Sequence, residues 1–267
     1  MDKISNATVE LKEMDALAAA DSPIHSLHPM CKLLVTSFYI ALVVSFSKYD
    51  FTGLIFMILY PVLMFQAADI SVRLCFYRLR VVLPLVCAVG IANPFLDHTP
   101  IMQVGNIVIT GGVISMVTLI MKGIFSLMAS FILIATTPID TLCAALRSIR
   151  VPGVLVSLLL LTYRYIGLML SEVSVMTQGY KLRAPKQKGI HVSAWGSFLG
   201  QLLLRSMDRG EELYNSMKLR GFNGEFFYAD IPKCSVSGVI FTSFCIAAFF
   251  VARFVNFAAL LGTVFVR

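Results

Sequence analysis

The sequence predicts an all-α, polytopic membrane protein with about five or six transmembrane helices and further long amphipathic helices on the cytoplasmic side. Three observations carry that prediction. Of 267 residues, 58% are hydrophobic and only 14% charged, whereas a soluble domain carries about 25% charged residues. The apolar residues are gathered into runs near span length. The Lys and Arg residues cluster between some of those runs and avoid others, as positive-inside topology requires.

The first stretch, 1–30, holds Glu10, Glu13, Asp15 and Asp21 and no apolar core of signal-peptide type, so it reads as a polar cytoplasmic lead-in. A first apolar run covers 31–46 and ends at Ser47-Lys48-Tyr49-Asp50; a second covers 51–67 and is broken only by Pro61. Each would be roughly 25 Å long as a helix, a short span. The basic cluster from Arg73 to Arg80 follows and belongs in the cytoplasm. A third run, 81–96, closes on Asn93-Pro94-Phe95-Leu96-Asp97-His98, a turn signal. The fourth starts near Ile107, passes Gly111-Gly112 and reaches about Ala135, interrupted by Lys122-Gly123. A tilted or kinked helix could hold it, or a span plus an interfacial piece. Residues 31–135 thus read as four transmembrane helices, with the turns at 47–51 and 97–105 facing out.

From 136 to 233 the character changes. Twelve of the 22 basic residues fall there, between apolar stretches, which suits amphipathic helices at the membrane surface. The first starts at Thr136-Thr137-Pro138-Ile139-Asp140, with a Thr cap, an early Pro and an Asp at the dipole's positive end, and stops before Pro152. The second runs from Gly153 to about Arg183, where Pro185 and Gly189 break the chain. The third runs from about Ser193 to Arg220 and ends at Gly221, a suitable C-terminal cap. A last apolar run, 234–252, makes a span within a C-terminal membrane segment, 234–267, whose tail beyond Arg253 is left open.

The net charge of +7 lies in stretches beside apolar runs, which argues for a membrane and against nucleic acid. No G-x-x-x-x-G-K-[ST], G-x-S-x-G or H-E-x-x-H occurs, so neither ATP binding nor hydrolase chemistry is expected, and no cofactor. A secondary carrier would show acidic residues inside its spans; Lys122 is the main ionisable group there. The six cysteines are scattered, as small apolar side chains are. His25, His28 and Cys31 could share one helical face, but Pro29 favours a polar loop over a metal site.

Two similar tips remain: Lys181-Leu182-Arg183-Ala184 and Lys218-Leu219-Arg220-Gly221, each at the end of a long helix. The helix dipole favours cations there. Two matched Arg-bearing tips also suit being gripped from outside the bilayer. Arg164 and Glu172 share one face of the second helix, and Arg209 lies on a mixed face of the third. These three mark either local ion pairing or a crossing point between the helices.

The segments Thr136–Asp140, Ala145–Pro152 and Leu161–Ile166 with Glu172 resemble the signature of energy-coupling factor (ECF) transporter T components. Gly196–Gly200, Leu204–Glu211 and Met217–Phe222 are similar to its CbiQ branch, which serves cobalt and, in relatives, nickel uptake; Ala92–Asp97 and Leu27–Leu34 add to this. The resemblance implies a non-catalytic, multi-pass scaffold of a prokaryotic plasma membrane, with cytoplasmic coupling helices. It implies two ABC-type ATPase subunits, identical or not, as partners, together with a CbiM-like substrate-binding membrane subunit and a CbiN-like small subunit as a further candidate. Arg183 and Arg220 would be the ATPase-docking residues, flanked by Leu182, Ala184, Leu219 and Gly221. Here Leu replaces the family's small residue before each Arg, Ala184 replaces Gly, His28 stands for Asp and Met30 for Arg. A T component for a vitamin or other micronutrient, and an independent secondary carrier, are the competing readings.

Overall fold

The computed structural model describes residues 2–48, 51–96, 100–104, 107–185, 187, 189–222, 224 and 236–254. They form helices and one short hairpin, grouped into two compact units: Met1–Leu17 with Pro138–Ile231, and Ala18–Thr137 with Pro232–Arg267. The polar lead-in is largely helical. Glu10, Leu11, Lys12, Glu13 and Met14 are strong helix formers, and α1 spans Asp2–Ala18. His28 caps α2 (Pro29–Ser45): its Nδ1 accepts the Met30 N–H at 3.1 Å.

The second apolar run divides into α3 (Phe51–Phe56) and α4 (Leu59–Ala67). Pro61 explains the break, because it has no N–H to offer the Met57 carbonyl four residues back. The buried Tyr39 hydroxyl donates to that carbonyl instead, at 2.8 Å. Asp69, at φ +55°, turns the chain into α5 (Val72–Leu79), bent by 114° from the preceding helix pair. Helix α6 (Leu83–Leu96) continues through Asn93-Pro94, where the sequence predicts a turn. Pro94 sits so near the helix end that it deprives only the Gly90 carbonyl of its partner. Asn93 Nδ2 meanwhile donates to Ser115 Oγ at 3.1 Å.

The span expected from Ile107 begins later. Ile107–Thr110 is a strand, β2, paired antiparallel with β1 (Pro100–Val104), and Val104 faces Ile107 in the register. A β-branched run favours the extended form over the first turn of a helix. The hairpin is the one exception to the helical class among the described residues. Helix α7 then runs unbroken from Gly111 to Thr136, with no interruption at Lys122-Gly123. Lys122 Nζ donates to the Val44 and Phe46 carbonyls at the end of α2, which satisfies orphaned acceptors and places a cation at the dipole's negative end.

Helix α8 covers Ile139–Ser148, α9 Gly153–Arg183 and α10 Trp195–Leu219, the last preceded by a 3₁₀ turn at Val192–Ala194. Neither Thr136 nor Thr137 caps α8, contrary to expectation. Thr136 ends α7 and donates its hydroxyl to the Ile132 carbonyl at 2.8 Å, and Pro138 takes the cap position. A small core of Cys143, Val156 and Leu160, with Ile139, Leu146 and Val151 against it, joins α8 to the start of α9. Burial, then Asp140, pushes the Cys143 thiol up, so it is an apolar filler rather than a thiolate.

Helix α11 (Val236–Phe254) packs on α2, with Phe38 and Phe250 ring centroids 5.4 Å apart and Tyr39, Tyr60 and Phe249 in mutual contact. By length and composition α7, α9 and α11 can each cross a bilayer, and the bent α3–α5 stretch adds a broken fourth. Helices α2 and α6 are apolar but shorter, at 17 and 14 residues. The first half of α9, which sequence reasoning laid at the membrane surface, is apolar enough to enter it, with Val154, Leu155, Leu158 and Leu159 exposed.

Close approach of α6 and α7 depends on two glycines. A Cβ on Gly123 would lie 2.5 Å from Val86 Cγ1, and one on Gly90 would lie 2.8 Å from Ile120 Cγ1. Small residues let membrane helices pack backbone to backbone. Gly123→Val should therefore lower stability by about 1–3 kcal/mol through overpacking. Thermal unfolding in detergent should show the loss, and Val86→Ala in the same chain should recover part of it.

Candidate functional site

The two tips are positioned by how α9 and α10 end. Helix α9 stops at Arg183, and the Ala184 N–H returns to the Tyr180 carbonyl at 3.0 Å. Helix α10 ends in a tighter cap. Gly221 takes φ +82°, its N–H bonds the Lys218 carbonyl at 3.0 Å, and the Phe222 N–H bonds the Met217 carbonyl at 3.0 Å. This six-to-one and five-to-two pair is the Schellman arrangement, with Gly at the left-handed position that the spacing predicts.

At both tips the leucine points into open space. Leu182 is 84% exposed and Leu219 91%, the two highest values among the exposed large hydrophobic residues. Arg183, Arg220 and Gly221 are exposed beside them, and Ala184 is half-buried. Neither arginine has an ion-pair partner among the described residues. Each tip thus offers an exposed apolar side chain next to a guanidinium with no ion-pair partner among the described residues, a pairing suited to a groove with an apolar wall and a carboxylate.

Behind the tips, one carboxylate faces two arginines. Glu172 of α9 is in contact with Arg205 Nη1 of α10, while Arg209 Nη2 lies 3.9 Å from its other oxygen. The Glu172 side chain is 17% exposed and the two arginines about half exposed. Arg164 does not join them. It lines a cleft of about 840 Å³ with Lys12 and Asp15 of α1, Asp140 and Tyr163, where the Tyr163 hydroxyl donates to Asp15. Nearer the tips Tyr180 ties down the α9–α10 connection, its hydroxyl donating to Gln187 Oε1 at 2.7 Å and accepting the His191 N–H at 3.3 Å.

The His25, His28 and Cys31 side chains have other work. His25 holds Ser22 Oγ at 2.7 Å through Nδ1 and sits 3.4 Å from the Ala135 carbonyl through Nε2. His28 is the α2 cap and Cys31 is buried. Beside them Lys32 Nζ donates to the Thr136 carbonyl at 2.7 Å and the His25 carbonyl at 3.2 Å, so these residues knit α2 to the end of α7.

A family model described as "Cobalt transport protein" (CbiQ) matches residues 20–228, most of the chain and both tips. The chain belongs to the CbiQ family. It is 32% identical over 96 residues to the cobalt transport protein CbiQ of Rhodobacter capsulatus, covering 35% of this chain and 38% of that one. It is 29% identical over 91 residues to the nickel permease LarQ of Lactiplantibacillus plantarum, covering 34% and 33%. Against the energy-coupling factor transporter transmembrane protein EcfT of Leuconostoc gelidum subsp. gasicomitatum, identity is 25% over 225 residues, covering 76% and 80%. The matches to the CbiQ and LarQ relatives thus span 38% and 33% of those proteins' length.

For this CbiQ family member, sequence reasoning singled out Glu172 and Arg209 but passed over Arg205 and Tyr180. The missed signal was spacing: Arg205 and Arg209 are one helical turn apart, so a carboxylate facing one also faces the other. The caps supply a test of tip geometry. Gly221→Ala forces a Cβ into the left-handed conformation and should destabilise the α10 tip by about 1 kcal/mol. Tyr180→Phe removes both ties on the connection. Amide hydrogen exchange should quicken at 219–222 in the first variant and at 184–191 in the second, with α7 unaffected in both.

Proposed function

We propose that this chain is the non-catalytic transmembrane scaffold and coupling subunit, the T component, of an ECF-type ABC importer for cobalt or nickel. Two ABC-type ATPase subunits grip the α9 and α10 tips from the cytoplasm. Closure of the ATPases on ATP moves the two helices, and they pass that motion to a CbiM-like substrate-binding membrane subunit, accompanied by a CbiN-like small subunit. The observation that carries this reading is the matched pair of tips, each an exposed leucine beside an exposed arginine at the carboxyl end of a long helix. An exposed leucine is worth about 1.5–3 kcal/mol when buried, and a guanidinium paired to a carboxylate fixes direction as well as affinity. Leu182, Arg183 and Ala184 form one docking tip, and Leu219, Arg220 and Gly221 the other.

The metal is substrate, and its selection belongs to the substrate-binding subunit. The cobalt and nickel names of the relatives favour a metal over a vitamin. The N-terminus and the charged parts of the 136–233 region, the two tips included, face the cytoplasm, while the apolar first half of α9 enters the membrane.

The tagged chain, expressed with its neighbouring subunits, should co-purify with a P-loop ATPase; its absence would favour an independent carrier. Uptake of radiolabelled cobalt or nickel, but not of a vitamin control, should require both. Arg183→Ala and Arg220→Ala should each reduce uptake, by lost docking or by uncoupling, and the double variant should abolish it while the protein stays folded by size-exclusion profile. Normal uptake by the double variant, with ATPases still bound, would sink the docking assignment.

A further inference from the structure

A cleft of about 840 Å³ lies between α1 and α9, apart from the tips and the Glu172 contact and wholly within one compact unit. Its volume falls in the range of about 300–1,000 Å³ usual for ligand sites. Each long wall is a single helix face. Thr8, Leu11, Lys12 and Asp15 recur on α1 at intervals of three and four residues, and Leu160, Arg164, Gly167 and Ser171 do the same on α9. The Tyr163 hydroxyl donates to Asp15 and so ties the walls together across 148 residues. Asp140, near the start of α8, completes the charged lining.

These charges oppose one another without pairing. Lys12, Arg164 and Asp140 are all exposed, and none makes an ion pair among the described residues. A simple anion would satisfy the cations and confront Asp15 and Asp140; a molecule carrying both signs would meet all of them. The lining is otherwise largely apolar, with Leu11, Ile139, Leu160 and Leu170. A Cβ on Gly167 would meet nothing within 4 Å. Unlike Gly90 and Gly123, this glycine admits no neighbour from the chain, and it leaves the wall open one turn from Arg164.

The place of the cleft along α9 points to the source of such a molecule. Arg164 is the first charged residue of a helix whose apolar first half is fit to enter the membrane. It therefore stands where acyl chains give way to headgroups, the level at which long cationic side chains reach for phosphate.

We propose that the cleft binds one zwitterionic phospholipid of the phosphatidylethanolamine class. Arg164 and Lys12 take the phosphate, the guanidinium through its fork of donors. Asp140 takes the primary ammonium, whose N–H donors a quaternary choline lacks. The upper acyl chain lies along Leu160 and Leu170. The site stands or falls independently of the coupling role.

Native mass spectrometry of the full chain in detergent tests this, with phosphatidylethanolamine, phosphatidylcholine, phosphatidylglycerol and soluble phosphoethanolamine supplied in turn. One phosphatidylethanolamine should be retained per chain, about tenfold more tightly than either other lipid, because each of those loses a charge-assisted contact. Phosphoethanolamine, which lacks acyl chains, should not displace it at equal concentration. A phosphatidylethanolamine with a photoreactive group near its headgroup should label residues 8–15 and 160–175. Arg164→Gln, Asp140→Asn and Gly167→Phe should each weaken retention about tenfold, the last by filling the cleft. Arg164→Lys and Gly167→Ala should keep most of it. All these positions are exposed, and unchanged thermal unfolding of the lipid-free variants would separate lost binding from lost folding. Equal retention of the three lipids, labelling confined to α7 or α11, or wild-type retention in both Arg164→Gln and Gly167→Phe would overturn the site. Displacement by phosphoethanolamine at equal concentration would overturn the lipid assignment in favour of a soluble phosphate ester.

Discussion

In the unit built from the apolar runs, side chains satisfy backbone carbonyls released at helix breaks and ends. Pro61 frees the Met57 carbonyl, and Tyr39 takes it. The end of α2 leaves carbonyls that Lys122 collects from a neighbouring helix. The end of α7 presents Thr136 to Lys32. Unsatisfied backbone groups in an apolar medium are expensive enough that only such solutions persist. This constraint explains why two lysines and a tyrosine lie in an otherwise apolar bundle. They meet carbonyls at helix breaks and ends.

The other unit follows a different rule. Its helices α9 and α10 expose much of their length, and what joins them is charged and directional. Glu172, Arg205 and Arg209 set where the helices meet, Tyr180 sets how the chain passes from one to the next, and the caps at Ala184 and Gly221 set where each helix stops. Polar contacts at exposed sites are individually weak, so several of them together set the geometry of this pair. Each arm ends in an exposed leucine beside an exposed arginine.

Much of this was legible in the sequence because it depends on local rules. The bounds of α9 and the end of α10 follow from Pro152, Pro185 and Gly221, residues whose backbone preferences act alone. The tips follow from helix ends. The hairpin at 100–110 was missed because Ile107–Thr110 is as apolar as the helix after it, and a short apolar run does not declare its period. The Lys122-Gly123 pair reads as an interruption in one dimension. In three it is a contact, with Lys122 reaching α2 and Gly123 admitting Val86. Pro94 reads as a turn, yet lies inside α6 because only one carbonyl is affected so close to the end.

Composition and spacing by themselves determined the membrane class, the positions of the charged and apolar regions, and two matched arginine tips, since each depends on residue type along one chain. Tertiary structure alone decided which groups those residues meet. It tied His25 and Lys32 to the end of α7, made His28 the cap of α2 and buried Cys31, sent Arg164 to a cleft beside α1, and brought Arg205 to Glu172 across 33 residues. The physical reason is that hydrogen bonds and ion pairs act over a few ångströms in space, and a linear pattern constrains such distances only within a turn or two of its own helix.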